Sequence, residues 1–383
     1  MNMVEYSEYR LGSLCNRFSS GKGIPVDLIN ETGKYPVIGG NGLRGYTDTY
    51  NFDGECAVIG RQGAYCGNVQ FFSGKGYMTE HAVVTQPNSA NNAKYLTYKL
   101  NGLSLGRFSG QAAQPGLSVT KLARLRIEMP PKWYQDKVAG ILYAYDNLIE
   151  VNNKRIKVLE QMAENLYKEW FVRFRFPGHE KADFENGIPK GWRRGRISEF
   201  YTTSSGGTPS RELDEYYVDG TIPWIKTGEL QDCLLIDTEE RITEVAVKKS
   251  SAKFFPKDSV LMAMYGVNIG MLAYSTMDAT CNQACCVFRD KGSISTKHYL
   301  FQCLKSIRDY LLLISFGAAQ QNLSQDLIKR VRIVMPDEET VIRFEQKIEP
   351  LYNEIKHLLK ANACLIRQRD LLLPRLMSGK LEV

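Results

Sequence analysis

Two stretches of this chain carry nearly the same phrase. Residues 112–118 read AAQPGLS and residues 318–324 read AAQQNLS, and each runs on into a basic-apolar strand pattern that closes on Met-Pro, VTKLARLRIEMP and QDLIKRVRIVMP. The spacing is constant, with Leu117 and Leu323 separated by 206 residues and Pro130 and Pro336 by the same interval. Ungapped agreement of this length marks a duplicated unit, and a duplicated unit has to be recognised before any other element is assigned. The copies extend outward from that anchor. Arg10–Leu14 faces Arg196–Phe200, Tyr35–Ile38 faces Ile222–Ile225, and Glu55–Asn68 faces Asp258–Met271 with Gly63 opposite Gly266 and Gly67 opposite Gly270. An apolar run followed by G-x-x-x-G predicts strand, tight turn, strand, because glycine tolerates positive φ and the close approach of another backbone.

A long helical pattern follows each Met-Pro. Leu142, Tyr145, Ile149, Asn152, Ile156, Leu159, Ala163, Leu166 and Trp170 keep a 3-4-3-4 spacing, as do Ile348, Leu351, Ile355, Leu358, Asn362, Leu365, Arg369 and Leu372. That is the narrow seam of a coiled coil, longer than a helix lying on one globular domain requires. Neither helix can bury such a seam alone, so the expectation is that the two pair, antiparallel. Helix pairing is assigned to Leu142, Ile149, Asn152, Ile156, Leu159, Leu166, Ile355, Leu358, Asn362 and Leu365. Asn152 and Asn362 lie inside apolar seams, where a polar residue fixes register at some cost in stability. The fold class expected is α+β, with two pseudo-repeated globular α/β domains separated by two long helices pairing as an antiparallel coiled coil. The boundaries are 1–131, 132–176, 187–336 and 337–383.

Bulk properties suit two soluble domains. The 383 residues are 43% hydrophobic, and no run is apolar enough for a membrane span. The start, MNMVEYSEYRLGSL, has neither a basic opening nor an apolar run, so no secretion signal is expected. Nine cysteines without paired spacing fit a reducing cytoplasm, each read as a small buried hydrophobe. The net charge of +7, from 49 Lys and Arg against 42 Asp and Glu, is compatible with nucleic acid without requiring it.

Catalytic patterns do not assemble. The one Pro-Pro, Pro130-Pro131, lacks the flanking residues of an amino-methyltransferase loop, and no G-x-x-x-x-G-K-[ST] phosphate loop occurs. Asp337, Glu345 and Lys347 weakly resemble a metal-dependent nuclease set, but short carboxylate-x-Lys strings are common on helix faces. His81, His179, His298 and His357 form no zinc-like cluster with cysteine, and Cys281, Cys285 and Cys286 read as strand core.

Several phrases nevertheless carry a resemblance. Asn165–Phe171 (NLYKEWF) followed by Arg175–Gly178 (RFPG), Gly187–Trp192 (GIPKGW) and Arg369–Gly379 (RDLLLPRLMSG) resemble the specificity subunits of type I restriction-modification enzymes, along the whole chain. The resemblance implies that residues 1–131 and 187–336 are target recognition domains, each reading one half of a split, asymmetric double-stranded DNA target. It implies that the helical segments dock two adenine methyltransferase subunits, through which two restriction-translocase subunits join. S-adenosylmethionine, ATP and Mg²⁺ would belong to those partners, with no cofactor, metal or catalytic residue in this chain.

Base and phosphate contacts are expected from long donors and aromatics in glycine-rich turns, because such side chains reach groove edges. In the first copy these are Lys22, Arg44, Tyr46, Arg61, Gln62, Tyr65 and Asn68, with Gln111 and Gln114 near the anchor. In the second they are Lys226, Thr227, Tyr265, Asn268, Gln283, Gln320 and Gln321. Two other readings use the same features: a specificity subunit of a methylation-only system, and a coiled-coil assembly protein whose lobes bind protein rather than DNA.

Overall fold

The structure, a computed structural model, describes residues 4–63, 65–110, 116–292, 294–315, 322–381 and 383. The chain divides into two compact units, Met1–Glu150 with Cys364–Val383, and Val151–Ala363. This differs from borders placed where the helices begin. Each long helix contributes its two ends to different cores, Leu142 packing with Leu376 in the first unit and Ile156 with Ile348 and Ile355 in the second.

The first unit is built on a six-stranded sheet in the order Cys15–Ser20, Ala82–Pro87, Phe52–Gly60, Val69–Met78, Tyr35–Gly39, Gly42–Thr47. All neighbours are antiparallel except Tyr35–Gly39 against Val69–Met78. Ala57 and Ile59 face the helix Ala93–Asn101 through Tyr95, Leu96 and Leu100, all fully buried. The alternate residues Cys56 and Val58 form a second core with Phe52, Met78 and Val84 on the other face, as the period of two along a strand requires.

The second unit keeps the order of the first four strands, Tyr201–Ser205, Cys285–Asp290, Val260–Ala263, Leu272–Ser275, but the parallel fifth place is taken by Cys233–Leu235 rather than by Ile222–Ile225, the counterpart of Tyr35–Gly39. It adds a small sheet of Arg241–Ile242, Ile222–Ile225 and Thr280–Cys281 with its own core around Trp224. In both copies an antiparallel pair joins the start of the copy to the strand that closes on Met-Pro, Ser7–Arg10 with Arg126–Met129 and Arg193–Arg196 with Arg332–Met335. The Leu-Ser of each anchor has one role in both copies. Leu117 and Leu323 are buried, and Ser118 and Ser324 accept the backbone N–H of Lys121 and Leu327 as helix N-caps.

The helices are Lys132–Tyr167, 36 residues, and Glu338–Met377, 40 residues. In the first unit Tyr134 donates to the Leu376 carbonyl at 2.9 Å and Arg369 to Asp146 at 2.6 Å. In the second Asn152 donates to Asn362 at 2.8 Å, Asn362 to Asn153 at 2.9 Å, and Arg155 to Glu354 at 2.6 Å. Residue numbers rise along one helix as they fall along the other, so the segments run side by side in opposite directions within each unit. Leu142, Asn152, Ile156, Ile355, Leu358 and Asn362 are buried, and Ile149, Leu159, Leu166 and Leu365 half-buried. No helix among the described residues is long and apolar enough to cross a membrane.

Asn165–Phe171 and Gly187–Trp192 meet in an aromatic cluster of the second unit, where Phe171 packs edge-on against Tyr299 and Phe344 and lies 5.7 Å from Trp192. Cys281, Cys285 and Cys286 are buried in strands, whereas Cys364 is exposed on the outer face of its helix and departs from the expectation for cysteine.

Candidate nucleic-acid interface

One loop occurs twice. Phe52–Gly60 leads through residues 61–68 into Val69–Met78, and Val260–Ala263 leads through 264–271 into Leu272–Ser275. The same main-chain hydrogen bonds hold both. Gly60 donates to Asn68 at 2.8 Å and Ala263 to Met271 at 2.9 Å; Gly67 donates to Gly60 and Gly270 to Ala263, each at 2.8 Å. Cys66 donates to Gly63 at 3.0 Å and Ile269 to Gly266 at 3.2 Å; Arg61 donates to His81 at 2.9 Å and Met264 to Ala284 at 2.8 Å. The anchor then closes each loop, Leu117 donating to Arg61 at 2.9 Å and Leu323 to Met264 at 2.8 Å. The paired glycines have positive φ, 84° and 90° at Gly63 and Gly266, 88° and 78° at Gly67 and Gly270. A Cβ at Gly67 would also lie 2.1 Å from the Gly106 nitrogen.

Two more segments border each loop. Ile38 pairs in parallel with Met78, and Ile225 with Cys281; the next residue then bonds back, Thr79 to the Ile38 carbonyl at 2.9 Å and Asn282 to that of Ile225 at 3.0 Å. Ser19-Ser20-Gly21 and Ser204-Ser205-Gly206 cross the same place. A Cβ would fall 2.0 Å from the Met78 carbonyl oxygen at Gly21 and 1.9 Å from that of Cys281 at Gly206, so only glycine fits. This Ser-Ser-Gly match was missed in the sequence because it is three residues long and unaligned with the anchor.

On this shared frame the side chains differ. In the first copy Lys22, Arg44, Gln62, Tyr65 and Asn68 are exposed and Arg61 is half-buried, its Nε 3.4 Å from the Leu117 carbonyl. The Lys22 N–H donates to the Met78 carbonyl at 2.9 Å, Gln62 bridges to Gly116, and Gly40 lies against Gly60 and Arg61, so these backbone segments gather around the loop, with the Arg44 side chain beside Gly39. Arg44 and Tyr46 are not in a turn, as their glycine-rich surroundings suggested, but in the strand Gly42–Thr47. Gly42 takes its positive φ beside the hairpin turn at residues 40–41, Gly45 takes its own at an irregularity in the strand pairing, and Tyr46 lies away from the loop, its backbone paired with Asn30.

In the second copy Asn268 is spent on the frame, its amide donating to the carbonyls of Thr227, Gly228 and Leu230 at 3.0, 3.3 and 3.3 Å. That bond gathers Thr227 and Lys226 to the loop. Lys226 pairs with Glu239 at 3.0 Å and Glu240 at 2.9 Å, and these hydrogen-bonded carboxylates raise its pKa above the ordinary lysine value. Gln283 accepts from Thr208. Tyr265 is exposed beside Val267, whose side chain is wholly exposed. Val267 carries no donor, so nothing in the sequence marks it as a groove-reading residue. Gln111, Gln114, Gln320 and Gln321 lie outside the described residues.

The carboxylates noted for a nuclease set have structural partners. Asp337 caps the helix Glu338–Met377 through the N–H of Thr340 at 2.9 Å and accepts from the Trp192 indole at 2.9 Å. Glu345 accepts the backbone N–H groups of His298 and Tyr299 at 3.1 and 3.0 Å and the His298 Nδ1 at 2.6 Å. Glu345, Glu349 and His298 offer atoms within 4.8 Å of one another, but Lys297 already occupies Glu349 at 3.1 Å. These groups pin the start of the helix Lys297–Ser306 to the distal helix.

Residues 3–161 and 189–360, most of the chain and one span in each copy, match the type I restriction modification DNA specificity domain. The chain belongs to that family. It is 27% identical over 316 residues to the MjaIX type I restriction enzyme specificity subunit of Methanocaldococcus jannaschii, covering 78% of this chain and 71% of the relative. The EcoprrI specificity subunit of Escherichia coli is 40% identical over 140 residues, 37% of this chain and 35% of the relative. In fold, the chain is similar to the crystal structure of a type I restriction-modification system S subunit from M. genitalium, with a TM-score of 0.70 at 15% identity over 98% of this chain and 97% of the other.

Proposed function

We propose that this specificity-family chain reads a bipartite, asymmetric double-stranded DNA target, one half with each copy, and does no chemistry itself. The observation that carries the proposal is the recurrence of one hydrogen-bonded loop frame with different side chains, Arg61, Gln62 and Tyr65 against Met264, Tyr265 and Asn268. Equal frames suit equal approaches to a duplex. Unequal side chains suit unequal half-targets.

In this reading the paired helices form an antiparallel coiled coil that sets the distance between the half-targets. They also dock two adenine methyltransferase subunits, through which two restriction-translocase subunits join. Val151, Val158 and Met162 are exposed at helical spacing on one face of the central helix, apolar surface that a docked subunit would cover. S-adenosylmethionine, ATP and Mg²⁺ are then bound by those partners, in the cytoplasm where host DNA lies. Methylome sequencing with and without the gene tests this. A two-part methylated motif that disappears with the gene is expected, and an unchanged methylome overturns the reading in favour of protein assembly. Four residues inserted near Val151 add about 6 Å of helix, and should change the gap in that motif while leaving both halves intact.

A further inference from the structure

We infer that Val267 reads a thymine through its C5-methyl group, so that the half-target of the second copy contains an A·T pair that this side chain fixes. The inference rests on the DNA-reading function proposed above.

Val267 is the most exposed large apolar side chain among the described residues, at 103% of its reference area. An exposed valine on a mobile loop would mean little, but this one is held. Gly266 on one side turns the chain at φ 90°, and Asn268 on the other is fixed to three carbonyls of the segment 227–230. Main-chain bonds at Ala263, Met264, Ile269, Gly270 and Met271 fix the rest of the loop. The side chain is therefore presented at a set place with nothing of its own unit over it.

The surroundings decide what covers it. Thr227, Thr208 and Gln283 border the loop, two hydroxyls and an amide, Lys226 lies beside them paired with Glu239 and Glu240, and Tyr265 lies two residues away. A protein partner recognising Val267 would be expected to meet an apolar patch, which these neighbours do not make. They suit a nucleic-acid edge, where the one apolar feature in the major groove of a base pair is the thymine methyl. The first copy differs in kind here. Its loop presents the Arg61 guanidinium, which pairs with guanine acceptors, whereas the equivalent Met264 is buried at 7% exposure. Reading by hydrogen bond in one half and by methyl contact in the other follows from that exchange.

The test uses the assembled complex of this chain with its methyltransferase, and a duplex carrying the two-part motif mapped in the host. Each thymine of the second half is replaced in turn by deoxyuridine, which removes the methyl and nothing else. At one position binding should weaken by about three- to five-fold, the scale of one buried methyl group. In the Val267→Ala complex the same replacement should have no effect, and thermal unfolding of the variant should match the parent because the side chain packs on nothing. A second half without an A·T pair overturns the inference, as does a duplex in which no deoxyuridine matters or in which the penalty persists in Val267→Ala. So does a Val267→Ala chain that no longer assembles with its methyltransferase, which would assign the residue to a protein contact. If no two-part motif depends on the gene at all, the DNA-reading function fails first and this inference with it; a motif present but indifferent to deoxyuridine refutes this inference alone.

Discussion

The loops at 61–68 and 264–271 share their backbone bond for bond and hardly a side chain. Arg61 carries a half-buried guanidinium where Met264 is buried; Tyr65 is exposed where Asn268 is tied to three carbonyls. The difference shows that the geometry of these loops is set by main-chain bonds, glycines and the closing leucine, which leaves the remaining side chains to contact something else. It also separates two kinds of position, those whose change should cost stability in both copies and those whose change should alter recognition in one.

The largest effects belong to the frame. Met264→Ala should destabilise the second unit by about 2–5 kcal/mol, the range for emptying a buried methionine site. Arg61→Ala at the equivalent place should leave stability nearly unchanged, and denaturant unfolding of the pair tests the contrast. Next, Gly21→Ala and Gly206→Ala should each cost about 3 kcal/mol, since a Cβ at 2 Å from a carbonyl oxygen must displace backbone. Gly63→Ala and Gly266→Ala, with open space around them, should cost only about 1–2 kcal/mol for the left-handed backbone. Unequal responses between copies would break the idea of a common frame.

Smaller effects sharpen the side-chain half of the comparison. Arg61→Ala should lose about 1–3 kcal/mol of discrimination in the first half-target and none in the second. If affinity instead falls evenly over all sequences and the salt slope drops by about one unit, Arg61 binds phosphate. The helices give the last contrast. Asn152→Ala should cost about 1–3 kcal/mol by leaving the buried Asn362 side-chain oxygen Oδ1 unpaired. Breaking the half-buried Arg369–Asp146 pair of the first unit with Asp146→Asn should cost under about 1 kcal/mol.

What was legible in the sequence follows from how each signal is made. The anchor and the G-x-x-x-G spacing stood out because several residues must agree at fixed intervals, and the helix seams because burial repeats over many turns. Glycines mark turns and strand irregularities alike; Gly42 borders a hairpin turn while Gly45 sits at an irregularity, so Arg44 between them lies in a strand, which only the pairing reveals. Glu345 gave no sign of its role, since the backbone it caps lies 46 and 47 residues away in sequence. Val267 carries no polar group to mark it, and exposure cannot be read from a residue type.

A frame held by the main chain also has a mutational consequence. Substitutions at residues 61, 62 and 65 leave its bonds intact, so the first copy can drift through many variants at constant fold and acquire a new preference in a single step. The second copy has less freedom. Asn268 is both neighbour to the recognition face and a strut beneath it, so a lineage that changes residue 268 must first find another support for the segment 227–230. Of the two halves of the target, the one assigned to the first copy should therefore vary faster among close relatives.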